Sequence, residues 1–259
     1  MPYCCVCDRP VDHWLPHPQQ AKRSPLMIML DTVGSDLSIY SCPSCHCSDR
    51  DRHLWLYLKA SGLTGQLQGA SILHMAPEPH LEARLAACQP KNYVRGDLHP
   101  TQAHHQRIDL QCLPFDDNGL DLVICNHVLE HVLQLEQALA EITRCLLPGG
   151  MLIAQTPYAP VLKHTFEMKH VPDANTAKLL YGQEDHVRLF GGDIEDYFHA
   201  AGLQGQLLEH RALLPDVDAA EFGCNAREPF FAFWKPRPEP NQDVDMAIGV
   251  KPPTPGCAA

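Results

Sequence analysis

Two pairs of cysteines near the start of the chain have the spacing of metal ligands. Two residues separate the thiols within each pair, in Cys4-Cys5-Val6-Cys7 and in Cys42-Pro43-Ser44-Cys45. Four thiolates can bind Zn²⁺ tetrahedrally and leave no position for water, which is typical of a structural site. We therefore predict structural zinc bound by Cys4, Cys7, Cys42 and Cys45. Three neighbouring residues could replace one of these ligands: Cys5, His46 and Cys47.

A second stretch suited to chemistry is an apolar run that ends in a turn, Ser71–Pro79. It predicts a buried strand over Ser71–Met75, a turn made rigid by two prolines, and a helix over His80–Cys88. The N-terminus of such a helix can hold an anionic group of a cofactor. Nucleotide-binding loops rely on glycines, and this turn contains none, so the residues alone leave cofactor binding open.

Polar residues follow the strands predicted next along the chain. Asp97 comes about 20 residues after the first strand, the spacing at which an acid accepts the ribose hydroxyls of an adenosine cofactor. Asp109 and Leu110 end a further strand and could contact an adenine ring. Asn126 and His127 follow the strand after that. Ligands of α/β sheets bind at this edge, although turn capping is the alternative for each aspartate.

Strands and helices alternate through most of the chain, which predicts a doubly wound α/β sheet, mostly parallel, with its last two strands antiparallel at one edge. The predicted strands are Ser71–Met75, Asn92–Gly96, Gln106–Asp109, Leu120–Asn126, Met151–Gln155, Gln206–His210 and Pro229–Trp234. The predicted helices are His80–Cys88, Leu133–Leu146 and Asp193–Ala201.

The N-terminal segment predicts a small zinc-ribbon-like module. Two β-prone runs, Leu26–Leu30 and Leu37–Tyr40, would form a hairpin that brings the cysteine pairs together. The charged residues that follow are expected to be the solvated start of a connecting helix, although Arg50, Arg52 and His53 could instead contact a ligand. The predicted organisation is a zinc module at 1–50, the connecting helix at 51–67, the α/β domain at 68–235 and a disordered Pro-rich tail at 236–259.

Composition narrows the class of protein. The 259 residues include 31 acids and 20 bases, a formal net charge of −11, which argues against a broad nucleic-acid surface. There is neither a signal-like apolar segment nor a run long enough to cross a membrane. We expect a cytoplasmic protein with no membrane partner, in which thiols stay reduced. Five of the six cysteines outside the N-terminal group are then expected to be core residues: Cys88, Cys112, Cys125, Cys145 and Cys224. The sixth, Cys257, is expected to be an inert residue of the tail.

The order and spacing of several motifs resembles the class I S-adenosylmethionine-dependent methyltransferases. These motifs are Leu113–Asp117, Leu120–Val123, His127–Val132 and Leu147–Gly150. A bacterial branch with N-terminal cysteine pairs is closer still. The motifs of this branch correspond in this chain to Arg52-His53, Ala76-Pro77-Glu78 and Gly182-Gln183-Glu184-Asp185-His186-Val187-Arg188. The resemblance covers residues 68–235 and implies a Rossmann-like fold, methyltransferase activity and S-adenosylmethionine as the cofactor.

The resemblance also implies roles for individual residues. By position, Ala76 and Glu78 would contact the methionine part of the cofactor, and Asp97 would contact its ribose. Asp109 and Leu110 would contact the adenine. Asn126 and His127 would form the floor of the cofactor site. The chain departs from the family's Gly-rich first motif, which is replaced by residues 74–80. Glu78 could compensate by pairing with the methionine ammonium, while amides of the following helix meet the carboxylate.

Methyl transfer requires a base when the acceptor atom carries a proton, and three histidines are candidates: His127, His131 and His186. His131 could instead bond to backbone. Asp185, His186 and Arg188 lie in the long segment 156–192, where a lid or binding loop is expected. Asp185 could orient His186 and Arg188 could bind an anionic substrate group; a structural Asp–Arg pair is the alternative.

The sequence thus favours an S-adenosylmethionine-dependent methyltransferase that acts on a small molecule or a protein and carries structural zinc. One alternative is a non-catalytic interaction protein that binds a protein partner through its zinc module and keeps the methyltransferase domain as a scaffold. Another is an RNA methyltransferase. The acidic charge and the lack of a basic, aromatic run in residues 1–50 disfavour the latter.

Overall fold

The computed structural model describes residues 1–20 and 24–238, so most of the predicted tail lies outside the described residues. The strands are β1 Tyr3–Cys4, β2 Arg9–Pro10, β3 Ser71–Met75, β4 Asn92–Asp97, β5 Gln106–Arg107, β6 Leu120–Ile124, β7 Leu146–Ile153, β8 Phe166–Glu167, β9 Arg188–Leu189, β10 Gln204–Leu208 and β11 Phe230–Trp234. The helices are α1 Pro25–Met29, α2 Asp49–Ala60, α3 Pro79–Ala87, α4 Leu135–Cys145, α5 Ala174–Tyr181, α6 Ile194–Ala200, α7 His210–Leu213 and α8 Ala219–Phe222. None of these helices is long and apolar enough to cross a membrane.

A seven-stranded sheet in the order β10-β11-β7-β6-β3-β4-β5 forms the centre of the protein. The five strands from β7 to β5 in that order are parallel, while β11 runs antiparallel to both β7 and β10. The predicted Rossmann-like fold, with an antiparallel strand pair at one edge, is confirmed. Because the chain winds outward in opposite directions from β3 and β6, a crevice is expected at their carboxyl ends.

Two apolar cores cover the two faces of this sheet. Successive residues of a strand point to opposite faces, so Ile72 belongs to one core and Leu73 to the other. The first core also contains buried residues of α2, α3 and the cysteine-rich segment, among them Cys4 and Trp14. The N-terminal module therefore packs on the sheet through the same core as the connecting helix.

Most predicted elements of the α/β region are present within a few residues. Strand β3 has the predicted bounds, whereas β5 is only two residues long and β7 starts earlier than expected. Helix α5 was missed in the long segment after β7. It begins at Asp173, whose side chain accepts the backbone N–H groups of residues 175 and 176, and ends at Gly182 with a left-handed φ of 94°.

The predicted hairpin in the N-terminal module is wrong. Leu26–Leu30 is mostly helical rather than extended, because Pro25 fits the first turn of α1 and Met27 packs in a small core with Tyr181 of α5. Leu37–Tyr40 is not a strand in the described structure. The antiparallel pair of the module is instead β1 with β2, which surrounds the first cysteine pair.

The start of α2 is buried, which corrects the expectation of a solvated helix start. Ser48 caps the helix in a reciprocal capping box with Asp51. Arg52 is 0% exposed, and its guanidinium donates to the carbonyl oxygens of Ile39, Cys47 and Gly223 at 2.7–2.9 Å. Arg52 therefore links three segments of the fold and is not free to contact a ligand.

Of the cysteines predicted to be core residues, Cys125, Cys145 and Cys224 are buried, and Cys88 is half-buried. Cys112 is exposed, because it lies in the turn after Asp109.

Candidate functional site

The four cysteines predicted to bind zinc come together in the structure. One sulfur from each of Cys4, Cys7, Cys42 and Cys45 lies within 4.8 Å of the other three. The Sγ atoms of Cys4 and Cys45 are 3.8 Å apart. The backbone N–H groups of Ser44 and Cys45 both donate to Cys42 Sγ. The donor set and its closed shape fit a structural zinc ion.

The three alternative ligands differ in their position. Cys47 Sγ lies 3.5 Å from Cys4 Sγ, so Cys47 borders the cluster. The Cys5 thiol points away and donates to the carbonyl of Arg52. His46 is exposed and lies outside the group of four.

The residues predicted to bind the cofactor follow adjacent strands at the carboxyl edge of the sheet. The register pairs Met75 of β3 with Gly96 of β4, which places Ala76 beside Asp97. Pairing of His74 with Ile124 of β6 brings the residues after β6, including Asn126, to the same edge.

Glu78 is fixed over the end of β3 by two side chains. Its Oε2 accepts the Nε2–H of the buried His74 at 2.8 Å, and its Oε1 accepts the Asn126 amide at 3.3 Å. Burial acts to raise the pKa of Glu78, but the hydrogen bond and charge of His74 outweigh it and hold the pKa below its usual value. The carboxylate side chain remains 23% exposed, so an anionic acceptor is available at this edge.

The turn that carries Glu78 offers few backbone donors. Ala76 is exposed and adopts a left-handed φ of 45°, which turns the chain sharply after β3 without a glycine. Pro77 and Pro79 have no N–H group, and the Leu81 N–H donates to the carbonyl of Glu78. Few amides of this turn are therefore available to bind a cofactor carboxylate.

The two aspartates predicted at the ribose and the adenine both cap turns. One Asp97 carboxylate oxygen accepts the His99 N–H at 2.7 Å, and Asp109 accepts the Gln111 N–H at 2.9 Å. Asp97 uses one oxygen for this backbone bond, so capping and ligand binding are compatible there. Both Asp109 oxygens also accept the Gln111 side-chain amide, at 3.2 and 3.3 Å. Leu110, beside Asp109, is buried in the apolar core.

A cavity of about 630 Å³ lies next to this edge. Its walls come from the N-terminal module, the start of α2, the loops after β6 and β7, and the segment from α5 to His186. It is lined by described residues of the module between His17 and Tyr40 and by residues between Lys178 and His186. His127 and Arg50 line the side nearest the sheet.

The three candidate bases lie close to one buried carboxylate. His127 Nδ1 is 3.6 Å from Glu130 Oε1, and its Nε2 is buried with no hydrogen-bond partner among residues 1–20 and 24–238. The His131 and His186 rings meet edge to face with centroids 4.7 Å apart. Burial acts to raise the pKa of Glu130, but the nearby His127 imidazole and the charges of the three histidines outweigh it and lower the pKa to about 2.

Arg188 has structural partners instead of the predicted substrate anion. Its buried guanidinium donates to the carbonyls of Leu129 and Val132 and pairs with Glu167 at 2.9 Å. The structural Asp–Arg alternative is also wrong, because Asp185 lies beside His131 Nδ1, at 3.3 Å, and not beside Arg188. Asp185 and His186 do line the cavity, as expected of a binding loop.

Several buried charged residues near the site are indicated only weakly by the sequence, or not at all. Glu130 lies inside the motif His127–Val132, in which the sequence indicated only the two histidines as functional residues. Glu228 lies far along the chain, 2% exposed, with its Oε2 3.8 Å from His53 Nδ1. Burial and the charge of Glu228 raise the pKa of Asp49 to about 7. Only the tertiary fold brings Glu228 close to His53 and Asp49.

Comparison with known proteins is consistent with this geometry. Residues 65–154, which span β3 to β7, match the family model described as a methyltransferase domain. This part of the chain is similar to a methyltransferase domain. This supports the prediction of an enzyme; the N-terminal module and the segment after β7 lie outside the matched residues.

Two curated relatives match part of this chain. A Mycolicibacterium smegmatis protein named "Probable S-adenosylmethionine-dependent methyltransferase" is 27% identical over 124 residues, 43% of this chain and 47% of the relative. The ubiquinone/menaquinone biosynthesis C-methyltransferase of Francisella tularensis subsp. novicida is 32% identical over 115 residues, 43% of each chain. The match thus spans less than half the length of these relatives.

Among solved structures, an S-adenosylmethionine-dependent methyltransferase from Mesorhizobium loti superposes with a TM-score of 0.47 at 16% identity. The superposition covers 68% of this chain and 94% of that one.

Proposed function

We propose that the protein is an S-adenosylmethionine-dependent methyltransferase whose acceptor binds in the cavity between the N-terminal module and residues 178–186. The observation that carries this proposal is the position of His127. It directly follows Asn126, which bonds to Glu78 at the cofactor edge, and it also lines the cavity. A methyl group held at that edge would thus face an acceptor in the cavity, which is the alignment that methyl transfer requires.

The residues at the sheet edge fit the cofactor in the order in which they occur. Glu78 would accept the methionine ammonium, Ala76 would lie beside the methionine part, and Asp97 would accept the ribose hydroxyls with its second oxygen. Asp109 and Leu110 would contact the adenine, the former by its carboxylate and the latter by its backbone. The cofactor supplies the electrophilic methyl group; the protein's part is to position it.

His127 is the best candidate for the base among the three histidines. Its Nδ1 faces the Glu130 carboxylate, so a proton on Nδ1 leaves Nε2 with a free lone pair. That nitrogen is buried and has no partner within the described protein. It would accept the proton of an acceptor hydroxyl or amine as the methyl group is transferred.

The cavity volume favours a small-molecule acceptor. Sites for such ligands measure about 300–1,000 Å³, and this cavity of about 630 Å³ falls within that range. Zinc at the cysteine cluster would have a structural role, because four thiolates close its coordination shell. It would hold the module that supplies one wall of the cavity. The N-terminal cysteines and the residue 182–188 motif support membership of the bacterial branch that the sequence resembles.

Calorimetric titration with S-adenosylmethionine and S-adenosylhomocysteine tests the proposal. We expect both to bind the full chain, and Asp97→Ala to weaken both because the ribose hydroxyls lose their acceptor. The matched control is Asp116→Ala, which removes an exposed carboxylate from the loop before β6. If millimolar cofactor gives no heat with the folded protein, the methyltransferase proposal fails and the scaffold alternative takes its place.

A further inference from the structure

A compact group of three side chains at the cavity wall has the composition of a metal site. Glu130, His131 and His186 each offer one ligand atom, and these atoms all lie within 4.8 Å of one another. Two imidazoles and one carboxylate are ligands that first-row divalent cations accept. The group is separate from the cysteine cluster and belongs to different elements, namely the loop after β6 and the segment after α5.

The orientation of His186 points to a missing partner. Its Nδ1 lies 3.1 Å from the carbonyl oxygen of Tyr181, and since a carbonyl only accepts, Nδ1 carries the proton. Nε2 then presents a lone pair. The residue is 3% exposed and Nε2 has no hydrogen-bond partner in the described structure. Buried polar atoms are almost always paired, and fixing one ring nitrogen on a carbonyl is how proteins orient a metal-binding histidine.

The other two residues are also held in place. Glu130 is 1% exposed, and its Oε2 accepts the Thr156 hydroxyl at 3.0 Å. The backbone carbonyl of Glu130 accepts the Val187 N–H at 2.9 Å, which ties the two halves of the group together. His131 is 30% exposed on its side chain and has the Asp185 carboxylate beside Nδ1. A buried carboxylate facing two imidazoles is a preorganised arrangement for a cation.

A second group of metal-binding residue types, Glu82 with His104 and His105, lacks these features. Both imidazoles already bond to the Glu82 carboxylate, at 2.9 and 3.3 Å. Arg95 pairs with the same carboxylate and supplies the positive charge there. This second group is therefore satisfied without an ion, whereas the group at the cavity is not.

We propose that Glu130, His131 and His186 bind one divalent first-row transition-metal ion at the wall of the cavity. Three protein ligands leave coordination positions open, and His186 lines the cavity, so these positions are accessible to a bound molecule. The ion would hold an acceptor through an oxygen atom, such as a hydroxyl or a carboxylate. The metal site stands on its own geometry; this role in acceptor binding rests on the proposed function.

Optical titration with Co²⁺ tests the site. The full chain is first loaded with one equivalent of Zn²⁺, which the four thiolates of the cysteine cluster bind ahead of nitrogen and oxygen ligands. Co²⁺ added afterwards then reports on the nitrogen and oxygen ligands. We expect about one Co²⁺ per chain, with weak d–d bands and no thiolate charge-transfer band. His131→Ala should weaken binding more than about 10-fold, and Glu130→Gln should do the same. His131 is partly exposed, so its variant is expected to fold.

The matched control is His170→Ala, which removes an exposed histidine outside the group and should leave the titration unchanged. Absence of d–d bands in the wild type at millimolar Co²⁺ would overturn the proposal, as would unaltered binding in folded His131→Ala. Calorimetry with S-adenosylhomocysteine on the same samples separates the two proposals. Cofactor binding without Co²⁺ binding would refute only the proposed metal site. Co²⁺ binding without cofactor binding would refute only the proposed methyltransferase function.

Discussion

The Nε2–H of His74 donates to the Glu78 carboxylate at 2.8 Å, across the turn that connects β3 to α3. His74 is fully buried in the sheet and Glu78 is the residue before the helix. The Tyr93 hydroxyl lies 2.8 Å from the other ring nitrogen of His74, which fixes the imidazole from the neighbouring strand. A turn without glycine is thus organised around a held carboxylate rather than around close backbone contacts.

This relationship predicts the effect of Glu78→Gln on cofactor binding. Glutamine keeps an oxygen for His74 but loses the charge that would pair with the methionine ammonium. We expect the affinity for S-adenosylmethionine and S-adenosylhomocysteine to fall about 10- to 100-fold, the range for a charge-assisted hydrogen bond. Calorimetry measures it, with Glu82→Gln on the same helix as the control. Equal affinities for the wild type and Glu78→Gln would contradict the role of Glu78.

The cysteine cluster predicts an effect of metal removal that reaches the cavity. Cys4→Ser should reduce the zinc content from about one ion per chain to nearly none. Because the module lines the cavity, hydrogen exchange should increase not only near the cysteines but also over residues 17–40. Elemental analysis and exchange mass spectrometry measure the two effects. The control is Cys88→Ser, a half-buried cysteine outside the cluster. A zinc-free variant with unchanged exchange would contradict the structural role.

The buried hydrogen bonds of Arg52 predict that its substitution lowers the stability of the fold strongly. Its guanidinium donates to carbonyls of residues 39, 47 and 223, so it joins the module to the C-terminal part of the fold. Arg52→Lys cannot reach all three oxygens and leaves some buried carbonyls unpaired, so we expect a loss of about 2–4 kcal/mol in the free energy of unfolding. Urea denaturation measures it against Arg211→Ala, an exposed arginine. A change below about 0.5 kcal/mol would show that Arg52 does not hold these segments together.

The lowered pKa of Glu228 predicts that the protein loses part of its folding stability in acid. Burial acts to raise its pKa, but the His53 imidazole, with Nδ1 3.8 Å from Glu228 Oε2, and the charge of His127 outweigh burial and hold the pKa below its ordinary value of 4.5. A folded-state pKa below the unfolded one stabilises the protein above the unfolded value, and this stabilisation is lost as the pH falls through the folded value.

Glu228→Gln should remove this contribution. The difference in unfolding free energy between the wild type and the variant should be largest near neutral pH and should shrink as the pH falls below about 4.5. Urea denaturation at a series of pH values measures it, with Glu221→Gln, half-exposed at 45%, as the control. A difference that stays constant with pH would mean that the charge of Glu228 does not contribute.

Local patterns in the sequence were enough to predict the core of the fold and the cysteine cluster. Alternation of apolar runs and helical periodicity located β3, β4, β6 and α4, because these elements are long enough to show their period. The two C-x-x-C pairs predicted a metal cluster because thiol spacing is a local property. The order of polar residues after the strands likewise anticipated which side chains meet at one edge of a parallel sheet.

The tertiary structure alone decided how the remaining charged groups are used. Arg188 and Arg52 looked available for ligands, yet both are buried and bonded to carbonyls from segments distant in the chain. Met27 packs in a small core with Tyr181, a contact that no local pattern encodes. Burial and long-range pairing set the environment of Glu130 and Glu228, and these are properties of the assembled fold, whereas strand period and cysteine spacing are written in the sequence itself.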